Sequence, residues 1–262
     1  MEYLKVKYPH ERDQFIVFDE EPHIYTIRGD SNYTSVTTWN KSMFSTFDAD
    51  TIIDKMMKSA KWNESKYFNM TKEDIKKLWS DSGKEASSLG TIMHENIEKF
   101  YNNVEVKDDS IEFKYFMKFY EDHKDELMGY RTEWMIYHEE LRLAGSIDMV
   151  FIDKKDELHI FDWKRSKEIK KNAFGNKSSI NKLIDHIPDS NYWHYCLQLN
   201  TYKAILEEKY DKKIGSLYLV CLHPNNKNDS YLKIKVADLQ EEVKELFKER
   251  KYNLNIPQKL LV

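Results

Sequence analysis

The stretch of residues 145–164 constrains the fold more than any other part of this chain. Two runs in which apolar and polar residues alternate, 144–152 and 158–164, flank the polar residues 153–157. Alternation with a period of two is typical of strands with one buried face, and a short polar interruption is typical of a turn. The pattern therefore predicts an antiparallel β-hairpin.

The turn of this hairpin determines which residues lie opposite each other. A turn centred on Lys155 places Asp148 opposite Asp162, because each lies seven positions from the centre. Lys164 shares a face with Asp162, since residues two apart in a strand point the same way. Opposed carboxylates destabilise a sheet, and a divalent cation bound between them is the simplest relief. We therefore expect a metal site on this face of the hairpin.

Two other interpretations of the hairpin remain open at this point. Charged residues make up 33% of the chain, so the carboxylates can also be solvated charges on the open face of an amphipathic hairpin. Phe161 and Trp163, on the opposite face, pack into a core in either case. A β-bulge would shift the register and separate the two carboxylates.

The spacing of the hairpin residues favours the metal site. Gly145 and Asp148, followed by Asp162 and Lys164, fit the pattern GxxD…(D/E)xK. This pattern resembles the signature of the PD-(D/E)XK nuclease superfamily, and it is specific only in the company of further motifs.

Two such motifs occur, in the order found in the RecB-like exonuclease branch of that superfamily. Upstream, Gly90, His94 and Glu98 fit GxxxHxxxE, and their spacing places the histidine and the glutamate on one helical face. Downstream, Gln198 and Tyr202 fit QxxxY and also share a helical face. The chain as a whole therefore resembles a RecB-like exonuclease.

The N-terminal residues add a weaker resemblance. Residues 15–18 and 23–27 are β-like runs around a turn, and residues 33–38 then enter a predicted helix that a Ser or Thr can cap. This hairpin with its Ser-Val-Thr stretch is similar to the N-terminal region of exonucleases of the mitochondrial genome maintenance type.

The resemblance implies an α/β fold with a restriction-endonuclease-like core. We expect a mixed sheet of about four strands flanked by helices, with an N-terminal β-hairpin and helical elaboration. The elaboration is assigned to residues 1–85, and the nuclease core with a C-terminal helix to residues 86–262. The two parts are expected to form one compact unit.

Further elements are predicted from periodicity. Residues 48–62 have apolar positions spaced for one buried helical face, namely Ile52, Ile53, Met56 and Met57. A second helix is predicted from Thr71 to about Trp79, and a third begins near Ser87 or Gly90. A helix with an apolar stripe around residues 113–120 and a strand over residues 131–141 follow. Beyond the hairpin we expect a helix at 191–210, strands at 217–222 and 231–236, and a helix at 238–252.

The resemblance also implies the residues of an active site. The implied metal ligands for one or two Mg²⁺ or Mn²⁺ ions are His94, Glu133, Asp148 and Asp162, and the histidine favours Mn²⁺ slightly. Lys164 is expected to position the attacking water and stabilise charge, because the adjacent carboxylates oppose deprotonation of its amine. Gln198 and Tyr202 complete the implied catalytic set by steadying the site and contacting nucleic acid.

A basic run follows the hairpin in residues 164–182. Its only acid is Glu168. A solvated loop is one interpretation, but the position beside the metal site favours contact with phosphates. The predicted nucleic-acid-binding residues of the run are Arg165, Lys167, Lys170, Lys171 and Lys177.

Composition adds limits. The net charge of −4 gives no global signature of nucleic-acid binding. Two cysteines, Cys196 and Cys221, are too few for a disulfide framework or a four-cysteine iron–sulfur cluster, and they favour a reducing intracellular compartment. The sequence shows no signal peptide and no run of eighteen apolar residues, so we expect a soluble protein without membrane contact. The oligomeric state stays open.

The expected function is metal-dependent hydrolysis of DNA phosphodiester bonds by an exonuclease that prefers single-stranded ends. One alternative is a metal-dependent endonuclease on DNA or RNA. The other is a nuclease-derived nucleic-acid-binding protein that has lost cleavage, and the intact set of Asp148, Asp162 and Lys164 argues against it.

Overall fold

The computed structural model describes residues 2–255. Within this range the α-helices are α1 (Tyr3–Lys7), α2 (Val36–Lys41), α3 (Ala49–Met57), α4 (Lys72–Tyr101), α5 (Ile111–His123), α6 (Asn191–Lys209) and α7 (Gln240–Asn255). The strands are β1 (Ile16–Asp19), β2 (Ile24–Ile27), β3 (Thr34–Ser35), β4 (Leu127–His138), β5 (Leu143–Asp153), β6 (Leu158–Lys164), β7 (Ile214–Cys221) and β8 (Leu232–Lys235). Residues 256–262 of the predicted core lie outside the described part.

A mixed six-stranded sheet forms the centre of the molecule. Its order is β3-β5-β6-β7-β8, and β4 pairs with β5 as a further neighbour. The pairs β4–β5, β5–β6 and β7–β8 are antiparallel, whereas β3–β5 and β6–β7 are parallel. The predicted α/β class is confirmed, and the predicted strand over residues 131–141 joins the hairpin as a third consecutive antiparallel strand. The sheet exceeds the expected four strands because β3 and β8 extend it.

Helices cover both faces of this sheet, which divides the apolar core in two. On one face α4 and α5 pack on β5 and β6, and Phe161 and Trp163 lie there as predicted. On the other face α2, α6 and α7 pack on the sheet, together with the separate hairpin β1–β2. Because strand side chains alternate between faces, the position between those two aromatic residues must point toward α6. That position is Asp162.

The N-terminal half follows the sequence pattern in part. The predicted hairpin is β1–β2, and Ser35 caps α2 by accepting a hydrogen bond from the backbone amide of Thr38 at 3.1 Å. The helix in residues 48–62 is shorter than the apolar pattern suggested, and of its four apolar positions only Ile53 is buried. The reason is that α3 packs mainly against α4, so only a narrow stripe of its apolar side chains is buried.

The prediction of two separate helices between residues 71 and 101 is wrong. A capping box of Thr71 and Asp74 starts one helix, α4, which continues to Tyr101. Gly83 and Gly90 do not interrupt it, since a glycine costs a helix interior only about 1 kcal/mol relative to alanine. Position 85, the expected boundary between elaboration and core, therefore lies inside a continuous helix.

The remaining predicted elements correspond to α5, β4, α6, β7, β8 and α7. Both cysteines are free and buried. Among residues 2–255, no helix combines the length and the apolar character needed to cross a membrane.

Candidate metal and active site

Three predicted ligands converge from α4, β4 and β5. The Nδ1 atom of His94 lies 3.5 Å from Oδ2 of Asp148 and 3.9 Å from Oε1 of Glu133. One ligand atom from each of the three residues lies within 4.8 Å of the others. Imidazole and carboxylate ligands at this spacing can hold a divalent ion.

Pairing of β4 with β5 brings the two carboxylates together. The register on either side of them places Glu133 opposite Asp148. Glu133 has a φ of 40°, in the left-handed region, which costs a non-glycine residue about 1–3 kcal/mol. Ser146 donates a hydrogen bond from its hydroxyl to Glu133 Oε2 at 2.8 Å. The strained glutamate is thus fixed by its own sheet neighbour.

The hairpin β5–β6 has the predicted register. Met149 pairs with Phe161, which places Asp148 and Asp162 at the next opposed position, just past the end of the ladder. The backbone amide of Trp163 donates to Asp148 Oδ2 at 2.9 Å. No bulge interrupts the β5–β6 pairing among the described residues. The fold therefore confirms the predicted opposition of the two aspartates.

Asp162 lies beside the three-ligand group but does not belong to it. Its side chain is 3% exposed, and its Oδ2 lies 2.5 Å from Lys164 Nζ. This oxygen nevertheless has no aligned hydrogen-bond partner within residues 2–255. The predicted set of four ligands is thus split into a group of three and a buried carboxylate paired with lysine.

The charges of the site shift its protonation equilibria. Burial lowers the pKa of His94, but the charge of Asp148 and the contact with Glu133 outweigh burial and raise it to about 9. Burial and the charge of Asp148 raise the pKa of Asp162 to about 7. Burial also raises the pKa of Asp148. Burial opposes the charged form of Lys164, yet the two aspartates raise its pKa above the ordinary value. Lys164 is therefore protonated at neutral pH.

These observations test whether a metal fits the site. Burial raises the pKa values of Asp148 and Asp162, because it disfavours their charged forms. Extra positive charge would favour those charged forms. The donor set of imidazole and carboxylate oxygens suits Mg²⁺ or Mn²⁺. The residues present thus fit a divalent ion.

Helix α6 supports the hairpin from the sheet face that carries Asp162. A Cβ atom at Gly145 would lie 2.8 Å from Cε1 of Tyr202, so only glycine allows this approach. Gln198 donates to the Tyr202 hydroxyl at 3.3 Å. Tyr202 is 3% exposed. Its burial supports the predicted steadying role and leaves direct contact with nucleic acid to other residues.

Sequence reasoning missed several supporting groups. The ring of Tyr195 lies under Lys164 Nζ, 4.7 Å from the ammonium to the centroid. The hydroxyl of Ser146 and the backbone amide of Trp163 donate hydrogen bonds that hold the carboxylates of Glu133 and Asp148 in place. Glu98, which completes the helical motif, lines the adjoining cleft, and burial and the charge of Glu133 raise its pKa. The position of Glu98 in the motif was a sequence signal for its place near the site. The hydrogen bond from the Trp163 backbone amide has no such signal, because every residue except proline carries an amide hydrogen.

The basic run divides into engaged and exposed residues. Arg165 Nε lies 2.6 Å from Glu112 Oε1 in a largely buried ion pair, so its charge is already compensated. The other four predicted nucleic-acid-binding residues of the run are exposed: Lys167, Lys170, Lys171 and Lys177.

A cleft of about 700 Å³ opens beside His94 and Glu133. Its lining is rich in acids: Glu2, Asp13, Glu20, Glu95, Glu98 and Glu133. Arg131 compensates Asp13 at 2.7 Å, and Lys5, which also lines the cleft, pairs with Glu2 at 3.3 Å. The N-terminal segment thus forms one wall of the cleft, and this wall carries three acids and one lysine.

The sequence of residues 111–256 matches the family model of the PD-(D/E)XK nuclease superfamily. This chain belongs to that superfamily. The match includes Glu133, Asp148, Asp162 and Lys164, whereas His94 lies upstream of it. Nucleases of the PD-(D/E)XK superfamily act on nucleic acids and use divalent metal ions, and the three-ligand group can hold such an ion.

Solved structures similar to this PD-(D/E)XK chain are distant. The crystal structure of SSO0001 has 14% sequence identity and a TM-score of 0.31, covering 86% of this chain and 77% of that chain. A candidate exonuclease from Eubacterium rectale has 13% identity and a TM-score of 0.37, covering 85% and 79%. A comparison with curated proteins found no match.

Proposed function

We propose that this protein is a divalent-metal-dependent exonuclease that hydrolyses phosphodiester bonds of DNA and prefers single-stranded ends. The observation that carries the proposal is the convergence of His94, Glu133 and Asp148 beside the buried pair of Asp162 and Lys164. A merely structural hairpin has no need to bury two carboxylates and an ammonium group together.

His94, Glu133 and Asp148 would hold the ion, and the carboxylate of Asp162, paired with Lys164, lies next to them. A bound Mg²⁺ or Mn²⁺ ion would supply Lewis-acid polarisation of the scissile phosphate. Lys164 is protonated, so it donates hydrogen bonds to the attacking water or to a phosphate oxygen and does not accept a proton. Its role is therefore positioning and charge stabilisation. Tyr195 limits the directions in which this ammonium can turn.

Two features support the need for a strand end. Residues 2–20 form a wall of the cleft beside His94, which narrows access to the site. That wall is acidic, so a phosphate backbone is favoured to approach from the side of Lys164 and the exposed lysines that follow it. Processing of ends would suit roles in DNA repair, replication or recombination. An endonuclease on DNA or RNA is the alternative, and it would cut substrates without ends.

The test uses labelled linear and closed circular single strands of DNA and RNA with Mg²⁺, Mn²⁺ or chelator. We expect progressive shortening of linear DNA with metal, and intact circles over the same time. Cutting of circles would show that the protein is an endonuclease. Preferential cleavage of RNA would show that RNA, and not DNA, is the substrate. Binding without cleavage under every metal condition would show a binding protein.

Matched variants tie this activity to the site. Asp148→Asn should abolish cleavage, because it removes a ligand charge from the three-residue group. Asp156→Asn, a charge change of the same kind in the exposed turn of the same hairpin, should leave cleavage unchanged. Equal activity of the two variants would overturn the site assignment.

A further inference from the structure

We propose that Phe174 is a stacking platform for an unpaired base of the bound strand. The inference rests on the proposed function and adds a binding residue outside the metal site. Phe174 is 95% exposed, more than any other large apolar side chain in the described part of the chain. Such exposure forgoes the stabilisation that burial of a phenylalanine side chain provides. A role in binding accounts for this cost.

The loop around Phe174 is anchored at both ends. Ser190 Oγ and Trp193 Nε1 each donate to the carbonyl oxygen of Lys171 at 3.1 Å. On the other side, the backbone amide of Asp189 donates to the carbonyl oxygen of Lys177 at 2.9 Å. Phe174 therefore lies at the tip of a short segment with fixed ends, which reduces the entropy lost on binding.

The backbone at the tip also turns in a defined way. Gly175 and Asn176 have φ values of 68° and 54°, both in the left-handed region that glycine and asparagine adopt most easily. A Cβ at Gly175 would meet nothing within 4 Å among the described residues. Glycine is therefore favoured there by the backbone conformation of the turn and not by close packing. The local sequence thus suits a tight projecting turn that carries an aromatic ring.

The charges around the tip indicate the partner. Lys170, Lys171 and Lys177 are exposed, and residues 169–179 contain no acid. The nearest acid in the chain, Glu168, pairs with Lys170 at 3.2 Å at the exposed base of the loop. An exposed aromatic ring flanked along the chain by lysines suits a polyanion with apolar flat faces better than an apolar protein surface. Single-stranded nucleic acid has that chemistry, because its phosphates attract the lysines and its bases stack on the ring. In a duplex the faces of the bases are already stacked.

Helix α6 connects this loop to the metal site. Lys171 Nζ lies 4.7 Å from the ring centroid of Tyr192 in the first turn of that helix. Tyr195, about 4.5 Å further along the helix axis, lies under Lys164. A strand that contacts Lys164 and continues along α6 would therefore pass Lys171, at the base of the loop that carries Phe174.

The experiment measures binding of fluorescent oligonucleotides by anisotropy in chelator, where cleavage is suppressed. The probes are a single strand, a blunt duplex and an abasic strand with the same phosphate number. Phe174→Ala should weaken binding of the normal strand by about 5- to 150-fold, the range expected for loss of one stacked base. It should leave binding of the duplex and the abasic strand unchanged. Phe174→Trp should restore binding.

Tyr252→Ala is the matched control, because Tyr252 is an exposed aromatic residue on α7. It should bind all probes as the wild type does. Unchanged binding of the normal strand by Phe174→Ala would overturn the inference, as would an equal loss on the abasic strand. If the wild-type protein binds no nucleic acid at all, the proposed function fails, and the inference fails with it. If the wild-type protein cleaves the strand and Phe174→Ala binds it as tightly as the wild type does, the inference about Phe174 fails and the proposed function stands.

Discussion

Replacement of Gly145 by alanine tests the packing that positions the site. The new Cβ would lie 2.8 Å from Cε1 and 3.1 Å from the hydroxyl oxygen of Tyr202, whereas ordinary contact distances are 3.4–4 Å. Because Tyr202 is buried and β5 is a central strand, neither side can move freely. Overpacking of this kind typically costs about 1–3 kcal/mol. We expect Gly145→Ala to lower the free energy of unfolding by that amount.

Urea denaturation measures this change, and Gly83→Ala is the control. Gly83 lies in the exposed part of α4, and a Cβ there meets nothing within 4 Å among the described residues. That variant should stabilise the protein by about 0.4–1 kcal/mol, since alanine restricts the unfolded chain and suits a helix. The two glycine substitutions should therefore have opposite signs.

A second variant isolates the proposed clash. Tyr202→Leu removes the atoms that the new methyl group would meet, so it should cost less stability in the Gly145→Ala background than in the wild type. The difference should exceed the additivity error of about 0.5 kcal/mol. Additive effects, or a Gly145→Ala variant as stable as Gly83→Ala, would refute the reasoning.

Three further predictions concern charge. Replacement of Lys170, Lys171 and Lys177 together by alanine should weaken binding uniformly across DNA sequences and flatten its salt dependence, because fewer counterions are released. Mn²⁺ should raise the thermal unfolding temperature of the wild type in a concentration-dependent way, and Asp148→Asn should remove this shift. The ion-paired Lys209, 2.5 Å from Glu140 Oε2, lowers the pKa of Glu140 from its ordinary 4.5 to about 2, although partial burial opposes this shift. Glu140→Gln should therefore lose up to about 1 kcal/mol of stability at pH 7, with the difference fading as pH falls from about 4.5 to 2.

Each of these has a result that contradicts it. If the salt dependence of DNA binding is the same in the triple lysine variant as in the wild type, these lysines do not contact the phosphate backbone of the DNA. Equal Mn²⁺ stabilisation of the wild type and Asp148→Asn would place the ion elsewhere. Because the pKa of Glu140 is lower in the folded state, its ionised form stabilises the folded protein at pH values above the unfolded-state pKa. A stability difference between the wild type and Glu140→Gln that stays constant across pH would therefore contradict the ion pair.

Local sequence determined much of this site. Alternation on both sides of residues 153–157 and the symmetry about Lys155 were enough to predict that Asp148 lies opposite Asp162. Such features depend on neighbours in the chain, where strand period and turn length leave few choices. The spacing of His94 and Glu98 on a helix was predictable for the same reason. The family match then confirmed the superfamily that these motifs resemble.

Tertiary structure decided how those residues meet. The sequence grouped Asp162 with the other ligands, but packing against α6 leaves it buried with Lys164, beside the three-ligand group. Arg165 looked available for phosphates, yet α5 brings Glu112 to it across 53 positions of chain. These contacts join elements that are far apart in sequence. Their geometry depends on how whole helices pack on the sheet, and periodicity along the chain does not encode it.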